Sequence, residues 1–280
     1  MELNGVGRHD QELTPNNLRE YFDLDSSCFA QNRWFGSAVA KKDYETTRRY
    51  LLEFLRVSNQ DDVLEIGCGP GVWTDHVSGL CRRITAIDIS GKMLMLAKTR
   101  AVGDNVTFKQ ANFDEFEDSQ TYDRIFSVRA IEYSPDIERT VMKMHAMTRE
   151  GGTTTTITKT WPTLITVRAR LWQWLRRILL QARGPSLEVL MKRISPSKLA
   201  KLFLRSGYRK VDIYPVVLRV PLFVHGRYPL PWAREALQHR YEMAMLRFCD
   251  HIAQRALSAS TFVRKLLLPF SETYLIIATK

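Results

Sequence analysis

The run Val63-Leu64-Glu65-Ile66-Gly67-Cys68-Gly69-Pro70-Gly71 constrains this chain more than any other stretch. An apolar strand ends beside an acid, and the backbone then meets three glycines at alternate positions. Glycine lacks a Cβ, so the chain can turn tightly there and a ligand can lie against bare backbone. A second apolar run, Ile84-Thr85-Ala86-Ile87, leads to Asp88. A carboxylate at the end of the next strand, about 20 residues beyond a glycine turn, is placed to accept hydrogen bonds from ribose hydroxyls. The layout points to a ligand that carries a nucleoside.

The glycine spacing narrows the choice of ligand. Dinucleotide sites use G-x-G-x-x-G with the pyrophosphate on a helix N-terminus. Here the pattern is G-x-G-x-G, and Val72 stands where the last glycine of a dinucleotide site would fall. A phosphate loop of the G-x-x-x-x-G-K-[ST] type is ruled out, because no Lys-Ser or Lys-Thr follows Gly71.

Around this motif, apolar strands alternate with helical patterns. Strands are predicted at 62–66, 83–88, 105–110, 122–128 and 153–159, and helices at 71–80, 90–101 and 136–149. Such alternation specifies a parallel sheet covered on both faces. Ser90 is placed to cap one helix, Asp136 lies in the first turn of the next, and Gly151-Gly152 reads as the end of that helix. Ser195-Pro196-Ser197 opens a further helix that stops at Gly207. Strands at Val211–Val217 and Glu272–Thr279 close the chain.

The organisation predicted is a helical N-terminal arm over residues 1–57 and one α/β domain over 58–280. Thr14-Pro15-Asn16 starts the arm, and a second helix is predicted from Ala38 to Leu55. Two insertions interrupt the domain, at 160–194 and 219–270. In the second, Leu237, Tyr241, Ala244, Met245, Phe248, Ile252 and Ala256 are predicted to share the apolar face of one long helix. Both insertions are expected to wall a substrate pocket as a cap, since they flank the carboxyl ends of a parallel sheet.

Charge is unevenly distributed. The formal net charge is +11, and between Lys159 and Lys210 thirteen Lys and Arg face the single acid Glu188. The rest of the chain is close to neutral. A basic patch favours anionic partners: nucleic acid, an acidic membrane surface or an acidic substrate. Read as a helix, 164–183 gathers Leu164, Val167, Leu171, Leu175 and Leu179 on one face and Arg170, Arg176 and Arg177 on the other. Trp172 and Trp174 stand near the borders, and Arg168 alone breaks the pattern. That describes either a lid on the pocket or a helix lying on an anionic membrane. The four cysteines (Cys28, Cys68, Cys81, Cys249) form no C-x-x-C pair, which argues against zinc and a disulfide framework. No metal site is expected. The polar first twenty residues do not read as a secretory signal, and a cytoplasmic setting is expected.

From about residue 60 to 160 the chain resembles the class I S-adenosylmethionine (SAM) dependent methyltransferases of the small-molecule type. The resemblance rests on Glu65–Gly71, on Asp88, on Tyr122-Asp123-Arg124-Ile125-Phe126-Ser127 and on Ile131-Glu132-Tyr133-Ser134-Pro135-Asp136. It implies a Rossmann-like seven-stranded sheet whose last strand, Glu272–Thr279, is antiparallel. It also implies SAM as cofactor, with Glu65, Gly67, Gly69 and Gly71 beside its methionine part and Asp88 on the ribose. Ile89 and Met93 would flank the adenine. Asn112, where the family often has Asp, would accept from the adenine amino group, and Phe113 would offer its backbone N–H. Val128 and Arg129 would reach the cofactor through backbone groups.

Many relatives place His where this chain has Tyr133, so Tyr133 replaces it as the catalytic candidate. Glu132 and His225 are weaker ones, and His145 is expected on the exposed side of its helix. The function implied is methyl transfer to a small or lipid-like organic acceptor, most simply at oxygen. An RNA methyltransferase using the basic 159–210 segment is the alternative enzyme. It lacks support from base-methylating signatures, since Ser134-Pro135-Asp136 has no second Pro and no Pro-Cys occurs. A non-catalytic partner protein with the same fold is the remaining reading.

Overall fold

Strand β1 (Asp62–Ile66) is buried along its whole length on both faces, as befits a central parallel strand rich in apolar residues. It is flanked by β2 (Arg83–Asp88) and β4 (Tyr122–Val128), both parallel to it. The computed structural model describes residues 14–100, 103–161, 163, 194–219 and 235–280. In these residues β1, β2, β3 (Val106–Gln110), β4, β5 (Thr148–Lys159), β6 (Lys210–Leu218) and β7 (Ser271–Thr279) form one sheet in the order β3-β2-β1-β4-β5-β7-β6. β7 is antiparallel to both β5 and β6. The chain runs outward from β1 to β3 and then returns to β4, so the strand order reverses beside β1. A crevice opens at the carboxyl ends of strands at such a point.

Eight α-helices surround the sheet among the described residues: α1 (Pro15–Asp25), α2 (Ala38–Leu55), α3 (Val72–Ser78), α4 (Gly91–Arg100), α5 (Ile137–Met147), α6 (Pro196–Arg205), α7 (Glu235–Leu257) and α8 (Thr261–Leu267). The starts follow the capping residues. The Thr14 hydroxyl accepts from Asn17 N, Ser195 from Lys198 N, and Asp136 from Arg139 N. One apolar layer packs α5 and α6 on the sheet through Val141, Met144, Leu199 and Phe203. The opposite layer packs α2, α3 and α7 through Tyr50, Leu51, Val77, Cys249 and Ala253. No helix among the described residues is long and apolar enough to cross a membrane.

Three expectations are corrected by the structure. Helix α5 ends at Met147, not at Gly151-Gly152, and Thr148 already pairs with Tyr122. Gly151, at φ +75°, lies within β5, where the register against β4 shifts. His145 is half-buried, not exposed. The turn after α6 brings Tyr208 edge-on to its ring at 4.9 Å, and a Cβ on Gly207 would stand 3.0 Å from it.

The third correction concerns α7, which buries Leu246, Cys249, Ala253 and Ala256, while Leu237 and Phe248 remain half exposed. The face is rotated because α2 dictates it. Asp250 bonds Arg49 (2.5 Å) and Lys42 (2.9 Å), and the Tyr50 hydroxyl donates to the Ala253 carbonyl at 2.7 Å. Small residues at 249, 253 and 256 let the two helices approach. The described part of the second insertion therefore packs on the sheet and on α2.

Candidate functional site

The three motif glycines all have positive φ, at +73° (Gly67), +53° (Gly69) and +75° (Gly71), a region costly for residues with a Cβ. Their surroundings differ. A Cβ on Gly67 would lie 2.3 Å from the Ala130 Cβ, and one on Gly71 would lie 2.9 Å from the Ala97 Cα in α4. A Cβ on Gly69 meets nothing nearer than Phe29 Cε1 at 3.9 Å. Gly67 and Gly71 thus permit close packing, and Gly69 leaves open space.

That space belongs to a cavity at the carboxyl ends of β1, β2 and β4, about 1140 Å³ including its open mouth. Gly67, Gly69, Asp88, Ile89, Met93, Asn112, Phe113, Val128, Arg129 and Tyr133 all line it. The Asp88 carboxylate is clamped at both oxygens. Gly69 N donates to Oδ2 at 2.7 Å and Ser90 N to Oδ1 at 2.9 Å. Burial, assisted by nearby Asp23, pushes its pKa up to about 6 despite these donors. The Asn112 carbonyl accepts from Asp114 N at 3.3 Å and its amide reaches Glu115, so a local turn orients the side chain. Arg129 has φ +60° and spends its backbone N–H on the Ile157 carbonyl at 2.8 Å, so of its backbone groups only the carbonyl is left to face a ligand.

Two of the residues expected at the cofactor do not reach the cavity. Gly71 serves the contact with α4. Glu65 is buried beneath the loop and accepts from the Thr74 hydroxyl at 2.6 Å. Burial raises its pKa to about 8, so it is a structural, largely protonated group. Glu132 is also turned away from the cavity. It accepts from Arg129 Nε (2.6 Å) and from Thr158. Burial alone would push its pKa up, but the guanidinium of Arg129 holds it below the usual carboxylate value. It is therefore a poor base. Burial raises the Tyr133 phenol above its ordinary value, and its ring meets Phe22 edge-on at 5.1 Å. His225 and the 164–183 segment lie outside the described residues.

The other wall comes from the arm, which sequence reasoning treated only as an appendage. Leu18, Phe22, Phe29, Arg33 and Trp34 line the cavity from that side. Asp23 fastens the arm to the N-terminus of α4, where its Oδ1 accepts from the Ser90 hydroxyl (2.5 Å) and from Lys92 N (3.4 Å). Trp34 stands edge-on to Trp73 at 5.0 Å. The signal available was the density of aromatic residues between 21 and 35 in an otherwise polar segment.

A family profile described as a methyltransferase domain matches residues 63–152. A malonyl-[acyl-carrier protein] O-methyltransferase of Bacillus anthracis is 33% identical over 32% of this chain and 34% of its own length. A ubiquinone biosynthesis O-methyltransferase of Xanthomonas axonopodis pv. citri is 21% identical over 46% of this chain and 57% of its own. The chain thus spans from about a third to somewhat over half of the length of these curated relatives. Among solved structures, the DhpI-SAM-HEP complex superposes with a TM-score of 0.55 at 21% identity, over 73% of this chain and 93% of that one. Residues 63–152 match the methyltransferase domain family, on a fold shared with SAM-dependent methyltransferases.

Proposed function

We propose that this chain is a SAM-dependent methyltransferase that moves a methyl group to a small or lipid-like organic acceptor, with oxygen as the receiving atom. The observation that carries the reading is the clamp of Gly69 N and Ser90 N on Asp88 at the wall of an open cavity. SAM, when bound, supplies a methyl group on a sulfonium that needs no further activation. The residues present fit it. Gly69 leaves bare backbone at the cavity, and the remaining lone pairs of the Asp88 carboxylate can accept two ribose hydroxyls. Ile89, Met93 and Phe113 offer apolar contact for a base. Phe22, Phe29 and Trp34 from the arm exclude water. Proximity and orientation of this kind supply on the order of 7–11 kcal/mol in favourable cases. Tyr133, with its raised pKa, acts as a wall and hydrogen-bond donor that orients the acceptor.

Oxygen as the target is supported by the names of the two O-methyltransferase relatives. The basic 159–210 segment, which would serve an RNA acceptor, lies mostly outside the described residues, as does the 164–183 helix proposed to touch an anionic membrane at the cytoplasmic face. Calorimetry with S-adenosylhomocysteine (SAH) tests the cofactor site, and Asp88→Ala should abolish binding. Incubation with labelled SAM and either a lipid or a soluble-metabolite extract, followed by mass analysis, identifies the acceptor class. RNA binding at low salt without a methylated small molecule would overturn this reading. Liposome co-sedimentation with and without Trp172 and Trp174 tests the membrane contact.

A further inference from the structure

Behind the cofactor cavity lies a second chamber, between residues 32–47 of the arm and the ends of β5 and β7. Arg33 and Arg129 line both spaces, whereas Lys159 lines only the rear one. These three cations lack anionic partners to match. The Arg33 side chain makes no hydrogen bond or ion pair among the described residues; its guanidinium lies over the Trp34 ring at 5.7 Å, and its Nε is shut off from solvent without a partner. Arg129 spends Nε on Glu132 but keeps a buried Nη2 without one. Lys159 has no ion pair among the described residues. Two acids line the same chamber, Asp43 and Glu272, but both flank Arg219, at 2.5 and 3.4 Å, and Glu132 holds Arg129 and Thr158. The adjoining sequence offers little relief, since residues 160–193 contain one acid, Glu188.

Buried cations without counter-charges are costly, and the cost appears in their titration. Burial first, and then mutual repulsion with Arg129, brings Arg33 down to about 10 and Lys159 down to about 8. A bound anion would offset that cost. A carboxylate suits the site best, because a guanidinium presents paired donors in the plane a carboxylate accepts.

We propose that the acceptor carries a carboxylate, seated in the rear chamber against Arg33, Arg129 and Lys159. The inference rests on the methyltransferase reading and adds the acceptor's charge to it. The same chemistry could serve the methionine carboxylate of the donor, reaching Arg33 and Arg129 from the front cavity. Lys159 separates the two sources, since it faces only the rear chamber.

The test uses the full chain saturated with SAH and titrated with hexanoate or with hexanamide, which has the same length and no charge. Hexanoate should bind at least tenfold more tightly than the amide. Lys159→Met should remove that preference while leaving SAH affinity within twofold, and Arg33→Gln should weaken hexanoate in the same way. Thermal melts establish that each variant folds. Equal binding of acid and amide, or no binding of either by protein that binds SAH, would overturn the proposal. A Lys159→Met variant that loses SAH affinity would assign the carboxylate to the donor and also overturn it. Absent SAH binding by the unaltered chain is a different result, which sinks the methyltransferase reading itself. Hexanoate titrated without SAH then still reads the chamber.

Discussion

The backbone N–H of Gly69 donates to Asp88 Oδ2 at 2.7 Å, tying the tip of the glycine loop to the end of the neighbouring strand. One bond thereby fixes the loop and aims the carboxylate. Because burial lifts the Asp88 pKa to about 6, the acid is ionised at neutral pH and protonates in a mildly acidic range. Ribose hydroxyls need the ionised form to donate to both oxygens. SAH affinity is therefore expected to be constant above pH 7 and to fall about tenfold per pH unit well below 6. Asp88→Asn should lower affinity ~10- to 100-fold at pH 7.5, the range for losing hydrogen bonds to a charged group. Calorimetry between pH 4.5 and 8 reads both, and a flat profile would show that Asp88 does not hold the ribose.

Gly67→Ala and Gly69→Ala should fail differently. Both place a side chain at positive φ, at a cost of roughly 1–2 kcal/mol each. Only the Gly67 variant also drives its Cβ to 2.3 Å from Ala130. It should lose several-fold more stability in denaturant titrations, in line with overpacking costs of about 1–3 kcal/mol. Gly69→Ala should fold and yet bind SAH poorly, because its methyl group enters the cavity. Near-normal SAH binding by a folded Gly69→Ala protein would count against the placement of the ligand.

Glu65 offers a test by pH. A carboxyl group raised to about 8 when folded and near 4.5 when unfolded keeps a proton that the unfolded chain has released in that window. Stability must then fall as pH rises from 4.5 to 8, by up to about 1.4 kcal/mol per pH unit while that one proton is retained. Between pH 6 and 8, above the range where Asp88 contributes in the same direction, Glu65→Gln should remove this slope. Urea midpoints at pH 6, 7 and 8 measure it, and an unchanged slope in the variant would show that Glu65 is ionised in the fold.

Asp23 joins the arm to the domain through Ser90 and Lys92. Asp23→Ala leaves the Ser90 cap on Met93 N in place, so the core should remain stable. The arm should loosen, with faster amide exchange in α1 and a several-fold rise in the SAH dissociation rate. Unaltered exchange in α1 would mean that the aromatic contacts suffice to hold it.

Much of the fold was legible in the residues. β1, β2 and β4 were predicted to the residue, because a short, mainly apolar run bounded by turn residues leaves little freedom in where a buried strand starts and stops. The closing strands and the caps at Thr14 and Ser195 follow from similarly local chemistry, while the antiparallel direction of β7 came from the resemblance to the methyltransferases. The errors lie where local rules meet a partner. Gly151-Gly152 carries a helix-stop signal, yet β5 claims Thr148 for the sheet. The apolar pattern of α7 admits more than one buried face, and ion pairs from α2 select among them.

The sequence by itself determined the Asp88 and glycine-loop geometry, because positive φ at three glycines and an acid at the next strand end are properties of short, contiguous segments. Only the tertiary structure decided that Glu65 bonds Thr74 and Gly71 packs on α4, that the arm forms the far wall of the cavity, and that Arg33, Arg129 and Lys159 converge behind it. Those three cations come from segments separated by dozens of residues, and no local pattern records a meeting produced by the packing of an arm on a sheet.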